Sequence, residues 1–250
     1  MVVTGSGRGI GRAIAEQCAN AGAAVVVTAR STEQVAEVVA AITGAGNVAH
    51  GVVADITDDA AVANLAAQSA SLLGGPVDTL INNAGVYKPR RFADYELADW
   101  EWMMSVNVIA TVRVTKAFLP DMLALDRARI ITVASIAGKK GTIGQSAYNA
   151  SKHAQIGLTR CLALEYGRTG IRANAICPGF IETDLVDIEE LAGVHQKPSA
   201  DVWRDIQNAA TIGRTATVEE VAAMAVYLAS PAADAINGQS LVIDGGVAFP

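Results

Sequence analysis

The stretch Met1–Gly11 has the sequence MVVTGSGRGIG, and it decides the fold. Its apolar residues 1–3 predict a short strand, and an amphipathic helical pattern begins at Ile10. Between them, the glycine-rich turn Thr4–Gly11 places backbone N–H groups beside the positive end of the helix dipole, where an anion such as a pyrophosphate can bind. A strand, such a turn and a helix form the first unit of a doubly wound α/β sheet, so this stretch predicts that fold class.

The rest of the chain alternates short β-branched runs with longer helical patterns. Near-continuous apolar strands in this alternation are typical of a parallel sheet that is covered by helices. We therefore predict an α/β fold: a Rossmann-like, doubly wound, seven-stranded parallel sheet with helices on both faces, in a single domain spanning residues 1–250. The predicted strands are 2–4, 24–28, 48–53, 77–82, 129–134, 172–177 and 240–243, and the early helices are 10–21, 32–42 and 58–73.

The pattern changes in segment 180–207, where Gly193 and Pro198 separate short stretches that contain apolar residues such as Leu191 and Trp203. We interpret this segment as a flexible helical flap over a substrate pocket. An ordinary surface connection explains the same sequence equally well. As a flap, its apolar side chains favour a fairly apolar substrate, unless they simply pack on the fold.

The composition argues against several classes of protein. Apolar residues make up 51% of the chain, which argues against disorder, and the net charge of −6 argues against an extended nucleic-acid surface. No apolar run is long enough to span a membrane, and the chain begins with its first strand instead of a signal-peptide pattern. We therefore expect a cytoplasmic protein without membrane or nucleic-acid partners.

Cysteine and histidine patterns favour neither a disulfide framework nor a metal site. The cysteines are odd in number and lack short paired spacings, so we interpret Cys18, Cys161 and Cys177 as reduced thiols. The three histidines are scattered singly along the chain, which is typical of ordinary surface or core histidines. We predict no bound metal.

Tyr148 and Lys152 are four residues apart, so a helix would place them on one face. A tyrosine has a pKa of about 10, which is too high for ready proton exchange at neutral pH. An ammonium about 5 Å away, at an effective dielectric constant of about 20, would favour the phenolate by about 3 kcal/mol, or roughly two pKa units. We therefore expect Lys152 to bring the pKa of Tyr148 towards neutrality, so that the phenol can act as a proton donor.

Five motifs occur in an order that resembles the short-chain dehydrogenase/reductase family, and the resemblance covers essentially the whole chain. The motifs are TGSGRGIG at Thr4–Gly11, the NNAG sequence at 82–85, Ser135, the YxxxK pair Tyr148 and Lys152, and Pro178-Gly179. The resemblance implies a nicotinamide dinucleotide cofactor and hydride transfer between C=O and CH–OH groups.

The resemblance also implies roles for four catalytic residues. Ser135 would donate a hydrogen bond to the substrate oxygen, Tyr148 would donate the proton, and Lys152 would also bind the nicotinamide ribose hydroxyls. Asn107 resembles the fourth catalytic residue of the family, which holds a water that relays protons through Lys152. Two alternatives stay open: Asn107 can be a helix-interior asparagine that bonds locally, and residues 83–85 can be merely a tight turn.

The end of the second predicted strand indicates the cofactor. A carboxylate there accepts the ribose hydroxyls of NAD, whereas a guanidinium attracts the 2′-phosphate of NADP. This chain has Arg30 at that place and no acid, and Arg8 in the glycine turn is a second candidate. We predict a preference for NADP(H), with NAD(H) as the alternative if both arginines are solvated.

The remaining cofactor contacts are implied by the resemblance. Asp55 and Ile56 would border the adenine. The complete set of expected cofactor-binding residues is Gly5, Ser6, Arg8, Gly9, Ile10, Gly11, Arg30, Ser31, Asp55, Ile56, Asn83, Ala84, Gly85, Tyr148, Lys152, Pro178, Gly179, Ile181 and Thr183.

We therefore predict an NADP(H)-dependent oxidoreductase that reduces a ketone or oxidises a secondary alcohol, with a likeness to 3-oxoacyl-[acyl-carrier-protein] reductases. The alternatives are an NAD-dependent secondary alcohol or polyol dehydrogenase and, in another class, a non-catalytic dinucleotide-binding sensor or scaffold. Lys88, Arg90 and Arg91 could meet an acidic carrier, although solvated basic residues are the usual case. The resemblance further implies a homotetramer that assembles through helices near residues 100–125 and 148–168 and through the carboxyl-terminal strand.

Overall fold

The computed structural model describes residues 1–248. Its strands are β1 (Val2–Thr4), β2 (Val25–Ala29), β3 (Ala49–Val53), β4 (Thr79–Asn82), β5 (Ala128–Val133), β6 (Ile171–Pro178) and β7 (Ser240–Ile243). Its helices are α1 (Gly9–Asn20), α2 (Thr32–Gly44), α3 (Asp59–Leu73), α4 (Leu97–Met104), α5 (Ala110–Leu123), α6 (Ser146–Tyr166), α7 (Ile188–His195), α8 (Ser199–Ala209) and α9 (Val218–Ala229). The predicted strands and early helices are all present, with ends within two residues of those expected.

The strands form one sheet with the order β3-β2-β1-β4-β5-β6-β7, and all neighbouring strands are parallel. The predicted fold class is confirmed. The chain winds outwards from β1 to β3 and then returns to place β4 on the other side of β1. This reversal opens a crevice at the carboxyl ends of β1 and β4, which is where ligands bind in sheets of this kind.

The sheet carries a hydrophobic core on each face. Val3 of β1 packs in one cluster with Ile14 of α1, whereas its neighbour Val2 packs in the other cluster with Phe118 of α5. Successive side chains of a strand point to opposite faces, so strands that are buried on both sides need apolar residues at nearly every position. This is why the strands appear in the sequence as continuous apolar runs.

A π-helical turn at Ser105–Ile109 joins α4 to α5 and was not predicted from the sequence. Such turns widen a helix locally and occur often at functional sites. This one contains Asn107, which is fully buried.

The segment predicted as a helical flap contains α7 and α8, and α8 continues to Ala209, two residues beyond the predicted end. The two helices share a small apolar cluster that includes Leu191 and Val202. The rings of Phe180 and Trp203 meet edge to face at 5.3 Å within the same segment. The helical part of the interpretation is therefore observed, and flexibility of the segment stays a prediction.

Three further properties concern the described part of the chain. None of its helices has the length and apolar character needed to cross a bilayer. Among residues 1–248, no group of three or more His, Cys, Asp and Glu side chains is arranged to hold a metal ion. The three cysteines are free thiols, with Cys18 and Cys177 buried and Cys161 exposed.

Candidate active site

A cavity of about 540 Å³ lies at the carboxyl ends of the strands. It is lined by the turns that follow strands β1 to β6 and by the first turns of α6. Of the predicted site residues, only Ser6 and Asn107 do not line it. The predicted residues in its wall are Gly5, Arg8, Gly9, Ile10, Gly11, Arg30, Ser31, Asp55, Ile56, Asn83, Ala84, Gly85, Ser135, Tyr148, Lys152, Pro178, Gly179, Ile181 and Thr183.

The glycine turn forms a tight cradle at the start of α1. Gly5 has a φ of +63°, and a Cβ atom at Gly11 would overlap the Gly5 carbonyl and the Asn83 side-chain amide. Arg8 precedes the first residue of α1 and supplies no side-chain cap to the helix. The amide donors of this helix terminus can therefore serve an anion, as the pyrophosphate of a dinucleotide requires. The glycine turn and the open terminus of α1 therefore fit a pyrophosphate group.

The turn after β4 is tied directly to the glycine turn. The Thr4 hydroxyl accepts hydrogen bonds from the backbone N–H of Asn83 at 3.0 Å and of Ala84 at 3.2 Å. The Asn83 side-chain amide donates to the carbonyls of Thr4 at 2.9 Å and Gly5 at 3.1 Å. Residues 83–85 are thus more than a tight turn, because the Asn83 side chain holds the loops after β1 and β4 together. The role of the Thr4 hydroxyl was missed, although its place at the end of β1 was a signal for it.

Ser6 was expected to contact the cofactor, and this prediction is wrong for its side chain. The residue is fully buried beneath the cradle. Its hydroxyl donates to the Val3 carbonyl at 2.7 Å and accepts from the Thr28 N–H at 3.0 Å. The hydroxyl therefore joins β1 to β2, and no free donor remains to face the cavity.

The two arginines at the outer part of the cavity differ in their partners. Arg8 forms an exposed ion pair with Asp184 at 3.1 Å. Arg30 is exposed and forms no ion pair within residues 1–248. Hydrogen bonds from Thr57 to Asp55 hold the pKa of that carboxyl below its usual value, and the charge of Arg30 contributes to the shift. Of these two basic groups, Arg30 is the one available to a phosphate.

Ser31 lines the same region but uses its hydroxyl as the cap of α2. The hydroxyl accepts a hydrogen bond from the Gln34 N–H at 3.2 Å and donates to Glu33 at 2.8 Å. A capping hydroxyl satisfies one of the open donors at a helix terminus. Contact between Ser31 and a cofactor would compete with this role.

Ser135, Tyr148 and Lys152 converge at the inner end of the cavity. Tyr148 lies in the first turn of α6, and Lys152 follows one turn later with its Nζ 5.5 Å from the centre of the tyrosine ring. The Ser135 hydroxyl, just after β5, hydrogen-bonds to the phenol, which favours a lower pKa of Tyr148. The Tyr87 ring meets Tyr148 edge to face at 5.0 Å, and the Tyr87 hydroxyl has no hydrogen-bond partner within the described chain.

The protonation of this pair differs from the sequence-based expectation. Burial raises the pKa of Tyr148 to about 12, and the Ser135 hydrogen bond opposes this only in part. Burial also lowers the pKa of Lys152 to about 8. The prediction that Lys152 brings the pKa of Tyr148 towards neutrality is wrong for the protein without ligands, because desolvation of the phenolate dominates the shift.

Asn107 lies behind the cavity wall, and its side chain bonds within the protein. Its Oδ1 accepts from the Val86 N–H at 2.8 Å, and its Nδ2 donates to the Val86 carbonyl and the Ser151 hydroxyl, both at 3.0 Å. These bonds hold the chain after Gly85 against α6. The alternative of a locally bonded asparagine therefore does not describe Asn107, because its side chain bonds to residues that are distant in the sequence.

Gln155 belongs to this site and was missed by the sequence analysis. It is almost fully buried on α6, one turn after Lys152. Its side chain contacts the Lys152 ammonium at 2.9 Å and the Asn107 carbonyl at 2.7 Å. The available signal was a polar residue at the i+3 position from a buried lysine, which places both side chains on one helix face.

Two of the three basic residues after β4 contact the flap segment. Arg90 forms an ion pair with Glu190 of α7 at 2.5 Å, and Arg91 donates to the Val194 carbonyl at 3.1 Å. Lys88 is paired with Asp99 at 2.5 Å. These three side chains have partners inside the protein, which weakens the interpretation that they meet an acidic carrier.

A second cavity of about 330 Å³ lies beneath α7 and α8. It shares Ile136, Thr142, Gln145 and Phe180 with the main cavity. Much of the remaining wall is apolar, and His195 and Asp205 are among the polar residues. The shared residues make the second cavity a continuation of the site away from Tyr148. The other apolar lining residues are Ile143, Leu191, Val202, Ile206, Ala209, Ala210 and Val247.

Comparison with protein families gives a match over nearly the whole chain. A family model described as enoyl-(acyl carrier protein) reductase matches residues 5–248. The match includes the glycine turn, the Tyr148–Lys152 pair and the flap segment.

Individual proteins match over a similar extent. The 3-oxoacyl-[acyl-carrier-protein] reductase FabG of Aquifex aeolicus is 34% identical over 247 residues, which cover 98% of this chain and 96% of that protein. A structure from Beutenbergia cavernae with bound NADP, assigned as an NAD(P)-dependent gluconate 5-dehydrogenase, is 39% identical, with a TM-score of 0.88 and coverage of 98% and 95%. A single-site variant of actinorhodin polyketide ketoreductase with NADPH is 34% identical, with a TM-score of 0.94 and the same coverage. The likeness therefore extends over nearly the whole chain and includes the fold.

Proposed function

Because this chain belongs to the short-chain dehydrogenase/reductase family of oxidoreductases, we propose that it is an NADP(H)-dependent reductase that converts a ketone to a secondary alcohol. The observation that carries this proposal is the convergence of Ser135, Tyr148 and Lys152 at the inner end of a cavity that begins with the glycine cradle. A phenol, a hydroxyl and an ammonium at one place provide a proton donor and stabilise a developing alkoxide.

Each polar group has a distinct task in the proposed reaction. When bound, NADPH supplies the hydride that reduces the carbonyl carbon. The Ser135 hydroxyl donates a hydrogen bond to the carbonyl oxygen as negative charge develops there, and Tyr148 transfers its proton to the same oxygen. Burial keeps Tyr148 protonated until it donates, since its pKa is about 12. The Lys152 ammonium then stabilises the phenolate that remains.

The preference for NADP(H) is supported by Arg30 and by two similar structures. Arg30 is exposed at the end of β2 and forms no ion pair in the described chain, so its guanidinium can contact a 2′-phosphate. The similar structures contain NADP and NADPH. We propose NADP(H) as the preferred cofactor and NAD(H) as a weaker one.

We propose that the substrate is a ketone with an apolar chain that extends into the second cavity. That cavity continues from the main one and has a largely apolar wall beneath α7 and α8. Ligand sites of this kind combine apolar walls with a few placed polar groups. The FabG relative is named for the reduction of 3-oxoacyl groups, which fits a substrate of this shape.

A second candidate function is the oxidation or reduction of a polyol or sugar acid. It is favoured by the 39% identity to the protein assigned as a gluconate 5-dehydrogenase. A polyol needs many hydrogen-bonding partners, whereas most of the exposed wall of the second cavity is apolar. A substrate panel that contains both ketones and polyols separates the two functions.

We also propose that the protein is a homotetramer and that it is located in the cytoplasm. Apolar side chains are exposed on the helices expected to assemble a homotetramer, including Trp102, Ile109 and Leu164. The cysteines are unpaired, which fits a reducing compartment such as the cytoplasm. Both statements extend the family resemblance to this chain.

The central test compares the wild-type protein with Tyr148→Phe. NADPH oxidation is measured against ketones of increasing chain length and against polyols. We expect the substitution to lower kcat by about 10²- to 10⁴-fold, because the proton donor is lost while packing is kept. Tyr166→Phe changes a tyrosine at the far end of the same helix and serves as the matched control, with activity close to that of the wild type.

Binding measurements separate an enzyme from a non-catalytic sensor. NADPH fluorescence titration should give similar dissociation constants for the wild type and for Tyr148→Phe. Binding without turnover of any ketone or alcohol would favour a sensor or scaffold. Undiminished turnover by Tyr148→Phe would overturn the proposed role of Tyr148.

A further inference from the structure

We propose that Gln155 is a positioning residue that holds the Lys152 ammonium and links it to the backbone carbonyl of Asn107. This inference deepens the proposed function, because it states how the chain holds the lysine that assists Tyr148. Nothing in the five family motifs includes Gln155. The inference rests on the hydrogen bonds around its side-chain amide.

The amide of Gln155 connects two parts of the site. Its Oε1 accepts a hydrogen bond from Lys152 Nζ at 2.9 Å, and its Nε2 donates to the Asn107 carbonyl at 2.7 Å. The same Nε2 lies 3.2 Å from the Thr111 hydroxyl. Since Gln155 is only 1% exposed, water does not compete for these bonds. The connection therefore joins α6 to the π-helical turn.

The Asn107 carbonyl has both of its acceptor positions in use. It accepts from the Gln155 amide and from the Thr111 hydroxyl, the second bond at 2.8 Å. A carbonyl oxygen has two lone pairs for hydrogen bonds. The family resemblance assigns Asn107 to a water that contacts Lys152. In this chain, the Gln155 amide makes the link between Asn107 and Lys152.

The arrangement leaves Lys152 with one further donor. Of its three N–H groups, one donates to Gln155 and a second donates to the Val133 carbonyl of β5 at 3.1 Å. The ionisable groups that face the ammonium are Tyr148 on its own helix and Cys177 on β6. No carboxylate in the described chain pairs with it. The Gln155 oxygen and the Val133 carbonyl are thus the hydrogen-bond acceptors that the described chain supplies to this buried positive charge.

This bond predicts how substitutions change the acidity of Lys152. Gln155→Met has a similar volume but lacks the acceptor, so the ammonium is less stable and the pKa of Lys152 falls. Gln155→Glu places a negative charge beside the ammonium, so the pKa of Lys152 rises. The two substitutions therefore have opposite effects, which a purely structural residue would not produce.

The experiment measures the pKa of Lys152 directly, by NMR titration of the full-length protein labelled with ¹³Cε-lysine. The chain has only six lysines, and Lys152→Gln identifies the resonance of interest. We expect the pKa of Lys152 to shift down by about one unit in Gln155→Met and up by about one unit in Gln155→Glu. Thr159→Val is the matched control: it removes a buried hydroxyl that bonds the Gln155 backbone carbonyl at 2.9 Å, and it should leave the Lys152 titration unchanged.

A kinetic measurement accompanies the titration. The alkaline limb of the pH profile for NADPH-dependent ketone reduction should move in the same direction as the pKa of Lys152 in each variant. If Gln155→Met does not fold, the upward shift in Gln155→Glu still decides the question.

Failure of this inference can be distinguished from failure of the proposed function. An unchanged Lys152 titration in the folded Gln155 variants, or shifts of the same size in Thr159→Val, would overturn the role of Gln155 while Tyr148-dependent turnover stood. Opposite shifts in a protein that reduces no ketone would support the Gln155 link and overturn the proposed function.

Discussion

Lys152 and Tyr148 have pKa values that move in opposite directions on burial, and this sets the expected pH dependence. In the proposed reaction, reduction requires a protonated Tyr148 and a charged Lys152. The pKa of Tyr148 is about 12, so the phenol keeps its proton around neutral pH, whereas the pKa of Lys152 is about 8. The kcat/KM for NADPH at saturating ketone should therefore be level below about pH 8 and fall as the pH rises through that value. This constant reports the free enzyme, and a profile that rises there would contradict the assignment.

Arg30 provides a prediction for cofactor choice. Arg30→Ala should lower the ratio of kcat/KM for NADPH to that for NADH by roughly 10- to 100-fold, because a charge-assisted hydrogen bond to the phosphate is lost. Steady-state kinetics with both cofactors measure this ratio. Arg204→Ala changes an exposed arginine on α8 and should leave the ratio unchanged. Equal loss with both cofactors would show that Arg30 does not contact the phosphate.

Some of these residue roles could be predicted from the sequence, and others could not. Gly11 was predicted correctly as part of the cradle, because a tight turn beside a helix terminus depends on the absence of a side chain. The prediction for the Ser6 side chain was wrong, and the role of Gln155 was missed. Their roles depend on which acceptors lie nearby in space, and a single sequence does not state those distances.

Helices α7 and α8 are held to the body of the protein by few polar contacts, and the ion pair between Arg90 and Glu190 is one of them. Glu190→Gln removes its charge, so the segment should open more often. We expect a several-fold higher KM for the ketone, little change in kcat, and faster limited proteolysis within 180–207. Glu189→Gln alters an exposed neighbour as the control. Equal proteolysis of both variants would argue against a role of the ion pair in holding the segment.

Element boundaries were predictable where burial dominates. The central strands are buried on both faces, so their apolar runs begin and end close to the observed limits, as at β1 and β5. The π-helical turn at Ser105–Ile109 was not predictable, since no residue type specifies the extra residue in that turn. Its geometry depends instead on tertiary contacts such as the bonds from Asn107 to Val86 and Ser151.

The whole molecule has exposed apolar side chains that predict its assembly. Leu164 on α6 is 85% exposed, and burying it against another subunit would be favourable. Leu164→Asp should convert the expected homotetramer into smaller species, as measured by multi-angle light scattering. Leu72→Asp on α3 also adds a charge at an exposed leucine, outside the expected interface, and should leave the mass unchanged. A monomeric wild type would refute the expected assembly.

The residues expected to determine cofactor preference and those expected to determine substrate choice lie in different parts of the sequence. Arg30 and Asp55, which we expect to face the adenosine end of the cofactor, come from the part of the chain before β4, whereas Ser135, Tyr148 and the α7–α8 segment come from the part after it. Mutations in the first part can therefore change cofactor preference during evolution without disturbing substrate choice, and the reverse also holds. Laboratory recombination of related genes at the β4 boundary should combine the two properties independently.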